Sequence, residues 1–245
     1  MAKIKKKRKV KWGRVIFSLI LIVIVGFGIY KGISYFSHKF GQSANVEAKH
    51  TMLNQLEESI PTVVIDPGHG GIDAGAKKGT LYEKDIALKT AMAVGEALKE
   101  KNVRVIYTRT TDEPLHEDKA TDLKMRAQMS KTYKADFYVS IHVNDFDGNT
   151  KPSGFEIYVK NEESQALASS IGKYIEALHY SQNRGILDGS DLAVLRENTV
   201  PSVLVELGYI KDADYEYLSN DQKLQKLGEA ISQGLIEQLQ KKLSQ

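Results

Sequence analysis

Four residues of this 245-residue chain combine a reactive side chain with a readable setting: His69, Glu83, His142 and Glu206. His69 lies in the glycine-rich turn Asp66-Pro67-Gly68-His69-Gly70-Gly71, directly after the β-branched run Val63-Val64-Ile65. Glycines on both sides remove Cβ bulk and let backbone and ligand approach closely. His142 follows Phe137-Tyr138-Val139-Ser140-Ile141, and Glu206 follows Ser202-Val203-Leu204-Val205; both runs read as buried strands. Glu83 opens a segment with Ile86, Ala87, Ala91, Val94 and Leu98 at helical spacing. Taken singly these residues have bland explanations, since a glutamate at a helix start favours the helix dipole and a strand-end histidine is often a satisfied core residue. Glu206 resists that explanation. It continues an apolar run and leads into Leu207-Gly208-Tyr209-Ile210, where an ionised carboxylate needs a cation or hydrogen-bond donors. Two imidazoles and two carboxylates are the composition of a catalytic zinc site: three protein ligands of the His₂Glu type, an open position for water, and a separate carboxylate to move a proton. The chain has no cysteine, which excludes thiolate ligands, a cysteine nucleophile and disulfides.

For four residues spread over the chain to act together, the fold must bring them to one rim. From Thr62 onward, predicted strands alternate with predicted helices, which implies a single α/β domain with a mostly parallel sheet flanked by helices. Strands are expected at Val63–Ile65, Val103–Thr108, Asp136–Ile141, Gly154–Val159 and Ser202–Val205. Helices are expected at Glu83–Lys101, Thr121–Lys134, Glu163–Leu178 and Gln222–Leu243. In such sheets ligands bind beyond the carboxyl ends of the strands, where His69, His142 and Glu206 would gather, with Glu83 opening a helix toward the same edge. Asp66 either orients an imidazole or caps the turn. Asn144 either lines the cleft or shapes its loop. Arg109 and Arg126 either form ion pairs within the domain, the favoured reading, or meet an acidic substrate, and His116 lies in an acidic loop within reach of a substrate.

The net charge of +3 is unevenly distributed. Eight basic residues precede Val15, which leaves −5 for the rest and argues against nucleic acid as a partner of the main domain. Val15 to Tyr30 is uncharged and apolar, and the apolar character continues to Phe36. The expected organisation is a cytoplasmic basic segment at 1–14, one N-terminal transmembrane helix at 15–36, an extracytoplasmic tether at 37–60 with a short helix at 52–58, and the catalytic domain at 61–245. The basic flank sets the orientation by the positive-inside rule and places that domain outside a cell membrane.

Several motifs together carry a family resemblance. Val64-Ile-Asp-Pro-Gly-His-Gly-Gly71 with Asp73 and Gly75, Tyr-Glu-Lys-Asp around Glu83, Thr108-Arg109 with Asp112, Ser-Ile-His-Val-Asn around His142, and Val-Glu-Leu-Gly-Tyr around Glu206 resemble the zinc-dependent N-acetylmuramoyl-L-alanine amidases of the amidase_3 type. The resemblance spans about 180 residues in family order. It implies hydrolysis of the amide between muramic acid and L-alanine in peptidoglycan, Zn²⁺ held by His69, Glu83 and His142, and Glu206 as the catalytic base and acid. The phrase after Gly208 departs from the family's usual Phe-Ile-Ser-Asn, reading Tyr209-Ile210-Lys211-Asp212. In regulated relatives a helix inserted after the second histidine motif plugs the site; Asn144 to Ser153 leaves no room for one. Other readings are a zinc peptidase cutting within the stem peptide and a catalytically weak wall-binding scaffold. A protein activator is compatible with any of these, and nothing in the sequence names one.

Overall fold

The structure, a computed structural model, describes residues 25–32, 34–35, 49, 51 and 60–244. The chain divides between Ser59 and Ile60, and the fold below is that of the second part. Residues 25–32 and 34–35 are helical. Among the described residues no helix is long and apolar enough to cross a membrane. Most of the 15–36 run and of the 37–60 tether, and the whole 52–58 helix, lie outside the described residues.

Among the described residues there are eight strands: β1 (Thr62–Pro67), β2 (Lys77–Lys78), β3 (Leu81–Tyr82), β4 (Arg104–Tyr107), β5 (Phe137–Asn144), β6 (Phe155–Val159), β7 (Asn183–Asp188) and β8 (Ser202–Tyr209). The α-helices are α1 (Glu83–Lys99), α2 (Lys119–Thr132), α3 (Gln165–Glu176), α4 (Ala193–Arg196), α5 (Tyr215–Leu218) and α6 (Asp221–Leu243). Six strands form one sheet in the order β4-β1-β5-β8-β6-β7, and β2 pairs with β3 in a small hairpin. Strands β4, β1, β5 and β8 run parallel; β6 pairs antiparallel to β8 and parallel to β7. The amino end of β6 therefore meets the carboxyl end of β8, so residues of both reach the same rim.

The alternation of side chains along each strand decides what faces what. Val63 and Ile65 of β1, Val139 and Ile141 of β5, and Val203, Val205 and Leu207 of β8 enter a large core beneath α1, α3 and α6. Helix α6 lies close to both neighbours because it carries glycines at the contacts. A Cβ on Gly228 would stand 2.5 Å from the Ala93 Cβ of α1, and one on Gly234 would stand 2.6 Å from the Ile171 Cα of α3. The intervening residues Val64, Tyr138 and Leu204 face the opposite side, against Val194 and Leu195. Among the described residues, α2 and the short α4 pack on that side. It is the face to which Asp66, His142 and Glu206 belong.

The structure corrects the expected boundaries in ways that affect the site. Strands β5 and β8 continue past Ile141 and Val205, so His142 and Glu206 lie within hydrogen-bonded strands rather than in the loops beyond them, opposite one another in register. The ladder shifts register between His142 and Asn144. Strand β7, helices α4 and α5 and the β2–β3 hairpin were not anticipated. Between Asn144 and Phe155 the chain forms no helix.

Candidate metal centre and its surroundings

The turn after β1 carries His69 in the left-handed region, at φ 60°, followed by Gly70 at 135° and Gly71 at 59°. This conformation is costly for a residue with a side chain, and two buried arginines hold it. Arg126 donates from Nη1 to the Pro67 carbonyl (2.8 Å) and from Nη2 to that of His69 (2.8 Å). Arg109 donates from Nε to the Pro67 carbonyl (3.1 Å) and from Nη2 to those of Gly68 and Lys84 (both 2.8 Å). The Arg126 charge is balanced by Asp122 (Nε to Oδ2, 2.5 Å) and by Asp66 (Nη1 to Oδ1, 2.9 Å).

Asp66 touches neither imidazole. Its Oδ1 also accepts from Thr108 Oγ1 (2.6 Å), and its Oδ2 from Tyr138 OH (2.8 Å) and Ser140 Oγ (2.7 Å). Burial works against its charge, but Arg126 and the hydroxyl donors outweigh it and bring the carboxyl down to about 2. Asp66 is thus the anchor of the arginine that shapes the turn; Arg126 forms the ion pairs within the domain, whereas Arg109, among the described residues, donates only to backbone carbonyls.

Glu83 starts α1 and occupies the centre of the cluster. Its Oε1 lies 3.1 Å from His69 Nε2 and 2.9 Å from His142 Nδ1 and accepts from the Val143 amide (3.0 Å); its Oε2 accepts from the Ala76 amide (2.8 Å). The two rings stand edge to face with centroids 5.0 Å apart. One donor atom from each of His69, Glu83 and His142 lies within 4.8 Å of the others, close enough for a single cation. Burial would raise the Glu83 carboxyl, but the two histidines hold it well below the usual range. Burial likewise depresses His69, and Glu83 and Asp73 reverse the sign, leaving its affinity for protons raised. Asp73 Oδ1 stands 3.0 Å from His69 Nδ1, on the side of the ring away from Glu83.

Tight glycines complete the cradle. A Cβ on Gly68 would lie 2.4 Å from His142 Cε1, and one on Gly75 would lie 2.4 Å from Glu83 Oε2 and 2.8 Å from His69 Cδ2. The donor set of two imidazoles and a carboxylate, converging with no lysine or arginine to satisfy Glu83, fits a zinc-type ion.

Glu206 sits beside this cluster on the adjacent strand. Its Oε2 is sealed from solvent and has no hydrogen-bond partner. Burial, with Glu83 and Glu156 adding repulsion, pushes its carboxyl well above the usual range. An acceptor held without a donor beside a metal-type cluster is placed to take up a proton. A cleft of about 390 Å³ opens between α2 and α4, lined by His69 and His142 but not by Glu83 or Glu206, with Leu204 at its floor and Ile72, Pro114, Leu192 and Val194 in its walls. His116 also lines this cleft. Asn144 does not; it donates to Glu156 (2.9 Å). Glu156, almost fully buried on β6, escaped the sequence reading. The available signal was an acidic residue inside the apolar run Phe155-Glu-Ile-Tyr-Val159, the same signal that exposed Glu206.

The family model described as N-acetylmuramoyl-L-alanine amidase matches residues 63–237, a span that contains the whole cluster and Glu206. The chain belongs to the N-acetylmuramoyl-L-alanine amidase family. Its activity is accordingly amide hydrolysis on peptidoglycan. Among its relatives, this amidase is 36% identical to the Bacillus subtilis protein YqiI over 179 residues, covering 71% of this chain and 82% of that one. It is 36% identical over 178 residues to the probable cell wall amidase LytH of Staphylococcus aureus, covering 71% of this chain and 57% of LytH, so it spans little more than half of that relative. Among solved structures, the amidase AmiC2 of Nostoc punctiforme superposes with a TM-score of 0.68 at 33% identity, over 74% of this chain and 97% of AmiC2. Zinc dependence is typical of the family, and the His69–Glu83–His142 cluster is where a metal could bind in this member.

Proposed function

We propose that this amidase cuts the bond between muramic acid and the L-alanine of the stem peptide, with His69, Glu83 and His142 as zinc ligands and Glu206 as the group that moves the proton. The observation that carries the assignment is the Glu206 carboxyl: half-buried, with one oxygen sealed from solvent and without a donor, and in register with His142 on the neighbouring strand. Zinc, when bound, supplies a nucleophilic water at neutral pH and polarises the scissile carbonyl. Glu206 accepts a proton from the attacking water and returns it to the departing L-alanine nitrogen, acting as base and then acid. Arg109 and Arg126 keep the His69 turn in its left-handed conformation, and the Val143 and Ala76 amides fix the Glu83 carboxylate, so the ligands are oriented in advance.

We further propose that the apolar run at 15–36 anchors the chain in the cell membrane with residues 61–245 on the outer side, confining cleavage to nearby wall. The eight basic residues before Val15 and the uncharged run after it support that orientation.

The test uses the full chain in detergent, loaded with zinc and incubated with purified peptidoglycan, with products read by mass spectrometry. Stem peptides beginning with free L-alanine are expected. They should vanish on chelation, and a Glu206→Gln variant that still binds zinc should lose roughly 10²-fold or more of the rate. Products cut within the stem peptide, or an E206Q variant with native activity, would overturn the assignment.

A further inference from the structure

The rim of the sheet carries a row of charged residues that extends past the catalytic pair. His142 on β5 is opposite Glu206 on β8, and Glu206 is opposite Glu156 on β6. Arg184, on edge strand β7, reaches Glu156 with its Nε 2.5 Å from Oε1. These residues share the face that carries the metal cluster: on β6, Phe155, Ile157 and Val159 enter the large core, which leaves Glu156 and Tyr158 on the opposite side with Glu206.

The two ends of the Glu156–Arg184 pair are satisfied very differently. Glu156 is 4% exposed and accepts from four groups: Arg184 Nε and Tyr209 OH (3.1 Å) at Oε1, and Asn144 Nδ2 and Tyr158 OH (both 2.9 Å) at Oε2. Arg184 engages a single nitrogen. Among the described residues its two terminal amino groups have no hydrogen-bond partner, and its side chain is 38% exposed, lying 5.5 Å from the centroid of the Tyr209 ring. A pair that served only to neutralise Glu156 would gain most from two parallel N–H···O bonds. This one leaves the outward donors of the guanidinium available. Lys211, the cation in the loop after β8, is by contrast committed to Asp145 (2.8 Å) and Asp147 (2.6 Å).

We infer that Arg184, held in place by Glu156, binds a carboxylate on the residue that follows L-alanine in the stem peptide, and so makes this amidase select acidic stems. The inference rests on the amidase reading, which sets the scissile bond beside Glu206. Strands in a sheet lie about 4.8 Å apart, which puts Arg184 roughly 10 Å from Glu206 across two intervals. An extended peptide advances about 3.4 Å per residue, so L-alanine and the acidic side of its neighbour span a comparable distance. The carboxylate meets a planar fork of N–H donors suited to pairing with both of its oxygens. Glu156 is the positioning residue of this arrangement, and Tyr209 supports the guanidinium from beside it.

The test uses the full zinc-loaded chain and two soluble muramoyl peptides that differ only after L-alanine, one bearing a free carboxylate and the other the carboxamide. The native enzyme is expected to favour the acid by about tenfold or more in kcat/KM, chiefly through KM, since a charge-assisted contact is lost with the amide. Arg184→Gln should bring the ratio of the two kcat/KM values close to one, and Arg184→Lys, which keeps the charge but not the fork, should give an intermediate ratio. Glu156→Gln should also shrink the ratio. A native enzyme indifferent to the carboxylate would overturn the inference, as would an R184Q variant that lowers both rates equally and keeps the ratio, because that is how a purely structural arginine behaves. Cleavage of neither peptide by the native chain would instead overturn the amidase reading, and the inference with it.

Discussion

Replacing Gly68 by alanine separates the metal centre from the fold. Gly68 is outside the positive-φ set, so its backbone conformation accepts a side chain. The new Cβ would lie 2.4 Å from His142 Cε1, 2.5 Å from Nε2 and 2.7 Å from Nδ1. Carbon atoms rest at about 3.5–4.0 Å, so the ring must move by roughly 1 Å. It cannot do so freely, because His142 Nδ1 is tied to Glu83 and its strand is paired on both sides. Metal–ligand distances tolerate only about 0.2 Å, and a misplacement of about 1 Å near reacting groups costs on the order of 10²-fold. G68A should therefore bind zinc at least 10-fold more weakly and lose about 10²-fold in activity. Its metal-free stability should change little, since the lost glycine entropy in the unfolded chain favours the variant by about 0.4–1 kcal/mol and offsets part of the strain. Competition with a chromophoric chelator, peptidoglycan turnover and urea unfolding of the metal-free protein measure the three quantities. Gly172→Ala is the control: its Cβ meets nothing closer than 3.5 Å, and activity should be untouched. Native zinc affinity and turnover in G68A would refute the argument that the turn is packed around the His142 ring.

Two further outcomes follow from the same structure. The Asp66 carboxyl titrates at about 2 in the fold against 3.8 when unperturbed, so its ionised form contributes on the order of 2 kcal/mol of stability, complete above about pH 4 and lost as pH falls toward 2. Asp66→Asn should flatten that limb of the stability–pH curve and cost about 3–5 kcal/mol at pH 7 by leaving Arg126 short of a counter-charge; an unchanged acid limb in urea titrations would contradict the network. Deleting residues 1–36 should move the protein from the membrane fraction to the soluble one while zinc-dependent cleavage survives, and a full-length chain already soluble without detergent would remove the anchor from the proposal.

The sequence by itself determined the chemistry and much of the frame. Strong periodicity located α1 and α6, the β-branched run Val63-Val64-Ile65 located β1, and short mostly apolar runs located β5 and β8, because these elements bury whole faces and their patterns leave little freedom. A carboxylate inside an apolar run was enough to single out Glu206, since burying it without a function is expensive. The sequence did not show where the strands end, because Asn144 and Gly208 are held in the sheet by their neighbours rather than by their own preferences. Nor did it show β7: Asn183, Arg184 and Gly185 carry no strand signal, and only the edge of β6 draws them into the ladder. The role of Asp66 was equally hidden, as Arg126 is 60 residues away in sequence. Tertiary structure alone decided the row from His142 to Arg184, because a register across four strands depends on how distant segments pair, and two reversed strands, β6 and β7, bring their first residues to the rim where the others end.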